Sequence, residues 1–151
     1  MTVLGDLLGR LDPDPLRRGK QFEHICQWFL TYDPVYAHEL RQVWPWDEWP
    51  GRSGTDAGID LVAEDREVKL WAIQAKAYHE ATWITKRDVD TFLAESGRPQ
   101  FSFRLLIATT DRIGHNAKRT LDAQEKHASF LGLSGLEAAE ANWPGSPSGP
   151  W

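Results

Sequence analysis

The chain has one cysteine, Cys26, and one methionine. A single thiol excludes an internal disulfide and any zinc site built on paired thiolates, and it fits a reducing compartment. Long apolar runs are also missing. No stretch approaches the roughly 20 residues that cross a bilayer, and the first residues lack a signal-peptide pattern. The expectation is a soluble, cytoplasmic protein with no membrane partner. Positive charge is in short supply: 17 Lys and Arg stand against 22 Asp and Glu, a formal net charge of −5. A dedicated nucleic-acid binder is ordinarily basic, because phosphate neutralisation supplies most of its affinity. The basic residues that do cluster are Arg17-Arg18-Gly19-Lys20, Lys86-Arg87 and Lys118-Arg119. Taken one at a time, these read as solvated helix ends. No Gly-x-x-x-x-Gly-Lys-Ser/Thr loop occurs, so these residues hold no P-loop motor.

What remains is the composition of one globular domain. The 151 residues are 41% hydrophobic and 26% charged, enough to bury a substantial core. Eight tryptophans are many for this length, and most are expected in packing, with one N–H each to satisfy.

Residues 1–16 contain Gly5, Gly9 and the steps Asp12-Pro13 and Asp14-Pro15, and read as an N-terminal extension with at most a short helix. From Arg17 to Tyr32 the apolar set Phe22, Ile25, Cys26, Phe29, Leu30 recurs at helical spacing and stops before Asp33-Pro34. Val35 to Leu40 suggests a second short helix, and Val43 to Trp49, interrupted by Pro45, an edge strand or extended segment. After a Pro-Gly loop come strands over Ile59–Ala63 and Lys69–Lys76. A helix then opens at Thr85 with Asp88 as its capping-box partner. Phe103–Thr109 reads as a buried strand, about Gly114–Glu125 as a helix, Ser129–Leu133 as a strand and Gly135–Ala141 as a helix. The Pro-, Gly- and Ser-rich residues 144–151 read as a linker-like tail. This order implies an α/β domain with a mixed central sheet and helices on both faces.

The most informative stretch is Gly58-Ile59-Asp60-Leu61 followed by Trp71-Ala72-Ile73-Gln74-Ala75-Lys76. Side chains two apart on a strand share a face, so Gln74 and Lys76 sit side by side and a hairpin brings Asp60 opposite them. A carboxylate, an amide oxygen and an ammonium at one point suit metal-assisted phosphodiester cleavage. Mg²⁺ takes oxygen ligands, keeps several waters and bridges to phosphate. Asp60 is the first candidate ligand, joined by the Gln74 amide oxygen and the Ala75 carbonyl. Lys76 would serve as electrostatic stabiliser or as general base. Glu23, on the first helix, is a further ligand, directly or through water, or else a residue on that helix's polar side. Polar groups interrupting an otherwise buried strand are costly unless paired, which favours a functional reading of Gln74 and Lys76. Arg52, Lys118 and Arg119 are candidate phosphate contacts. Trp44, Trp46 and Trp49 are expected to pack against the first helix, with base stacking as the alternative.

These residues match a known family. Gly19-Lys20-Gln21-Phe22-Glu23, Gly58-Ile59-Asp60 and Gln74-Ala75-Lys76 resemble the Mrr-like branch of the PD-(D/E)XK nucleases, in which Gln commonly replaces the middle acid. Five longer blocks resemble one subgroup, the N-terminal nuclease domains of type ISP restriction–modification enzymes. They are Val43-Trp44-Pro45-Trp46-Asp47-Glu48-Trp49-Pro50-Gly51-Arg52, Leu70–Lys76, Leu105–Thr110, Asn116-Ala117-Lys118-Arg119-Thr120 and Asn142-Trp143-Pro144.

The resemblance covers residues 17–143. It implies a restriction-endonuclease-like fold and Mg²⁺-dependent hydrolysis of double-stranded DNA, with Mn²⁺ as a substitute. It assigns the reaction to Asp60, Gln74 and Lys76, assisted by Glu23. It also implies a helicase motor, a methyltransferase and a target-recognition domain as partners in a larger protein. A transient dimer on DNA would serve a double-strand break. The acidic balance fits DNA grip supplied by such neighbours. The neutral Gln74 leaves a second reading open, a catalytically silent module of the same fold that docks DNA or a motor.

Overall fold

The computed structural model describes residues 2–52, 58–139 and 142–147. Its centre is a five-stranded sheet whose spatial order equals its chain order: β1 (Leu40–Pro45), β2 (Leu61–Asp65), β3 (Leu70–Lys76), β4 (Phe101–Ala108) and β5 (Ala128–Leu131). Neighbours β1, β2 and β3 run antiparallel, while β3, β4 and β5 run parallel. The two parallel joins need crossovers, supplied by helices α4 (Lys86–Ser96) and α5 (His115–Asp122). The expected mixed sheet with helices on both faces is what the chain forms.

Helix α2 (Pro15–Tyr32) starts where the Asp14 carboxylate accepts the Arg17 N–H at 3.1 Å and Pro15 takes the first turn. It buries Phe22, Ile25, Cys26, Phe29 and Leu30 against the sheet. Each buried Phe or Leu contributes about 1.5–3 kcal/mol. Asp33 ends the helix and caps the next, α3 (Pro34–Glu39), accepting the Val35 and Tyr36 N–H groups. A short α1 (Val3–Gly9) precedes α2, and its Leu4 and Leu7 join the same cluster, which also takes Leu136 of α6 (Leu133–Ala138). Leu105 and Ile107 of β4 close that core. On the other face, Ile84, Val89, Phe92, Leu106, Ala108, Ala117 and Leu121 form a second cluster beneath α4 and α5. The Thr85–Asp88 capping box is present in both directions.

Three local expectations are corrected. The segment after β1 is not extended to Trp49: Pro45 ends the strand and Trp46–Glu48 makes a 3-10 turn. Trp46 and Trp49 do not pack on the first helix. They cluster with Ile59, Val62, Ala72 and Phe101 on the opposite sheet face, because the turn folds the segment over the end of β2. Helix α6 starts two residues early, at Leu133. The Asp111 carboxylate, 23 residues away, accepts both the Ser134 N–H and its hydroxyl and so supplies the missing cap. Residues 142–147 of the Pro/Gly-rich end lie on the helical layer. Trp143 stacks on Phe29 at 5.3 Å, Trp28 donates to the Asn142 carbonyl, and Arg10 donates to that of Gly145.

Candidate active site

The β2–β3 hairpin ladder has Leu61 opposite Ile73 as its last pair, leaving Asp60 just beyond the strand. Its backbone is still held: the Asp60 N–H donates to the Ile73 carbonyl at 2.9 Å, and the Asp60 carbonyl accepts the Trp46 N–H at 3.0 Å. The Asp60 carboxylate takes over where β2 stops, accepting the Ala75 N–H at 2.8 Å. A strand residue points its N–H and C=O to the same side. The Ala75 carbonyl therefore faces the open flank that Asp60 occupies.

Alternation along β3 decides which way the polar pair points. Trp71 and Ile73 join the α2 core, with Ala75 and Ala77 packed against it. Ala72 and Leu70 pack with the tryptophan cluster, and Tyr78 with the α4/α5 cluster. Gln74 and Lys76 thus project from the face opposite α2. The Gln74 amide donates to the Gly58 carbonyl at 3.0 Å, which fixes its orientation. Its oxygen, Oε1, is then buried without a partner among the described residues. The Lys76 amino group lies 5.4 Å from the Tyr78 ring centre.

Glu23 comes from α2 on the other face. Its side chain is 16% exposed and lies 3.5 Å from Lys20, which is mostly exposed. The thiol of Cys26 links the two sides. Burial, then the charge of Asp60, then that of Glu23 push its pKa well above the ordinary value. Both carboxylates therefore act on one buried sulfur beneath the strand ends. Asp60 is tied to β3 through Ala75, and Glu23 shares with it the charge acting on Cys26.

The candidate phosphate contacts are less concentrated. Arg52 donates to the Trp49 carbonyl at 3.2 Å. Lys118 pairs with Asp122 at 2.9 Å, and Arg119 is exposed beside it on α5. That helix packs on α4 and β5 rather than on α2. Asp56, a further loop acid, lies outside the described residues. Among those residues no group of three or more His, Cys, Asp or Glu could hold a metal ion.

Two supports lie outside the residues assigned to the site from sequence. Gly58 adopts φ +80°, a left-handed conformation that a side chain resists, and this aims its carbonyl at Gln74. Glu95 of α4 crowds the same glycine: a Cβ there would meet the Glu95 side chain at 2.9 Å. Thr109, at the end of β4, accepts the Tyr78 N–H at 2.7 Å and donates to the Tyr78 carbonyl, while its own N–H reaches the Lys76 carbonyl. Gly58 was visible in the motif. The Thr109 clamp had no local signal.

Comparison with known proteins agrees with this fold. A restriction endonuclease family model (Mrr_cat_2) matches residues 31–148, and the chain belongs to that family. It is a restriction endonuclease domain, and enzymes of this family are generally metal-dependent. Among solved structures it is similar to the ATP-dependent type ISP restriction–modification enzyme LlaBIII bound to DNA. Identity there is 29% and the TM-score 0.76, over 93% of this chain and 9% of that one. MspJI in complex with a 27-mer oligonucleotide matches at 15% identity and TM-score 0.53, over 78% of this chain and 26% of that one. The DNA modification-dependent endonuclease AspBHI matches at 15% and 0.53, over 89% and 33%. The last two likenesses speak for the fold alone. The chain thus spans a third or less of each of these proteins. No curated protein matches it. Among the described residues no helix is long and apolar enough to cross a membrane.

Proposed function

We propose that this domain hydrolyses phosphodiester bonds of double-stranded DNA with Mg²⁺, or Mn²⁺ in its place, as the cleavage module of a larger ATP-driven restriction–modification enzyme. The observation that carries the reading is the Gln74 oxygen. A buried acceptor without a donor costs about 1–3 kcal/mol. This one sits on the strand whose next amide is bound by the Asp60 carboxylate.

The residues fit a hard divalent cation. Asp60 and Glu23 would supply carboxylate oxygens, Gln74 its amide oxygen and Ala75 its carbonyl, an all-oxygen donor set of the kind Mg²⁺ prefers. When bound, the ion would polarise the scissile phosphate and acidify a water. Lys76 would orient the attacking water by donating to it and would balance charge building on the phosphate oxygens. Asp60 couples these parts, since its bond to Ala75 holds β3 in register beside the carboxylate. Gly58 holds Gln74 with its oxygen free of donors among the described residues. Arg52, Lys118 and Arg119 are proposed to contact phosphates away from the cut.

The likeness to part of LlaBIII, an ATP-dependent restriction–modification enzyme, supports a larger whole protein; the neighbours proposed for it are a helicase motor, a methyltransferase and a target-recognition domain, which would supply ATP-driven movement and sequence reading. One such site cuts one strand, so a double-strand break calls for two domains meeting on DNA. The test is plasmid cleavage by the chain at low salt with Mg²⁺, Mn²⁺ or EDTA, beside Lys76→Ala. Metal-dependent nicking absent from the variant is expected. No cutting with either metal, alone or in the full-length protein with ATP, would overturn the reading in favour of a silent docking module.

A further inference from the structure

Seven of the eight tryptophans lie among the described residues, and Trp83 is the one most exposed to solvent, at 55%. Its position is built in rather than frayed. The preceding Thr82 carbonyl accepts the hydroxyl of Thr110, which is fully buried, at 2.9 Å. The following Ile84 is also fully buried and pairs with Ile113 in a parallel bridge. In that bridge the Ile84 N–H donates to the Arg112 carbonyl at 2.7 Å, and its carbonyl accepts the Gly114 N–H at 2.9 Å. The loops leaving β3 and β4 are thereby locked together. They carry Trp83 and Arg112 outward as a pair, with the guanidinium 5.8 Å from the ring centre.

This pair stands at the same sheet edge as Lys76. Strands β3 and β4 are parallel, so their C-terminal ends, Lys76 and Ala108, lie side by side. Both loops and the first turns of α4 and α5 rise from that edge, and the two helices pack on each other. Arg87, in the first turn of α4, is exposed there and, like Arg112, makes no ion pair among the described residues; Arg119, also without one among them, is exposed further along, in the last turn of α5. The acids nearby are mostly engaged. Asp88 is held in the capping box, Asp90 pairs with Lys86, and Asp111 binds Ser134. Glu80 is exposed on the β3–α4 loop. On a chain of net charge −5, two uncompensated arginines beside an outward-facing indole, with a third further along α5, mark a local reversal of sign.

We propose that Trp83 and Arg112 form a rigid platform for the DNA backbone beside the scissile phosphate. Arg112 takes a phosphate, the indole packs against the adjoining sugar, and Arg87 and Arg119 take further phosphates. Guanidinium geometry matches phosphate, and the ring holds the guanidinium plane in place. The inference rests on the nuclease reading for the identity of the ligand, and it gives the domain a grip of its own.

The test reads binding rather than cutting. A fluorescently labelled 30-base-pair duplex of random sequence is titrated by anisotropy in EDTA at several salt concentrations. Arg112→Ala is expected to weaken binding about fivefold and to lower the log–log salt slope by about one. Trp83→Ala is expected to weaken it about tenfold with the slope unchanged. Arg112→Lys, which keeps charge but not planarity, is expected to keep the slope and lose part of the affinity. Thermal melts matching wild type show that each variant folds; a variant that unfolds is replaced by Trp83→Gln or Arg112→Gln. Wild-type binding by folded Trp83 and Arg112 variants would overturn the platform and leave the nuclease reading standing. Metal-dependent cleavage that fails while these variants still weaken binding would sink the nuclease reading alone.

Discussion

Asp60 and Ala75 are joined by a 2.8 Å hydrogen bond from the Ala75 amide to the Asp60 carboxylate, so one side chain both closes the strand pair and presents an anion. The two roles separate by substitution. Asp60→Asn keeps an oxygen acceptor for Ala75 and should melt near wild type. Its cleavage should fall about 100-fold or more, because a metal site would lose a charged ligand. Asp60→Ala should lose cleavage and also about 1 kcal/mol of stability with the hydrogen bond. Plasmid nicking and thermal melts on the two variants together test this. Equal activity in Asp60→Asn and wild type would remove Asp60 from the chemistry.

Gln74 offers a sharper contrast. Its amide donates to the Gly58 carbonyl, and a glutamate has no donor there. Gln74→Glu should therefore be destabilised by about 1–3 kcal/mol in EDTA, and Mg²⁺ should restore most of that loss. Melting curves with and without metal are the measurement. An unchanged melting temperature in EDTA would contradict the assigned amide orientation.

Gly58→Ala should cost about 1–3 kcal/mol through its positive φ, with a further steric cost from Glu95. Pairing it with Glu95→Ala should recover the steric part only. Denaturant midpoints of the single and double variants separate the two causes, and full recovery would mean that φ is not the limitation.

The β2–β3 turn carries a testable flaw and a testable strength. Val68, a β-branched residue, sits at φ 66° and is exposed, so Val68→Gly should stabilise the domain by about 1 kcal/mol. Asp65 is held below its ordinary pKa of 3.8. Burial alone would raise it, but the Lys69 N–H, the Trp71 indole and the Glu67 N–H bind the carboxylate, and the charge of Lys69 adds to them. A depressed pKa adds stability that is fully present above the unfolded value and is lost as pH falls through the folded one. The stability gap between wild type and Asp65→Asn should therefore be flat at neutral pH and narrow below about pH 4. Urea midpoints across pH 3–7 read it, and a gap that widens on acidification would contradict the assignment.

Much of this domain was legible in its residues because the information is local. The 3.6-residue spacing from Phe22 to Leu30, the Thr85–Asp88 box and the β-rich runs of β3 and β4 each specify an element within a few residues. Alternation alone put Gln74 and Lys76 on one face, and the hairpin set Asp60 beside them. Tertiary contacts decided the rest. The Asp111 cap on α6 comes from 23 residues away. The Trp46–Trp49 cluster chose its sheet face through a 3-10 turn, and Trp143 found Phe29 across 114 residues of chain. Which charges meet was decided the same way. The charges of Glu23 and Asp60 both raise the pKa of Cys26 from different elements, and Trp83 meets Arg112 only because two parallel strands end at one edge. Periodicity records which way a side chain points, whereas the partner it meets is set by crossover and packing, which no short window of residues contains.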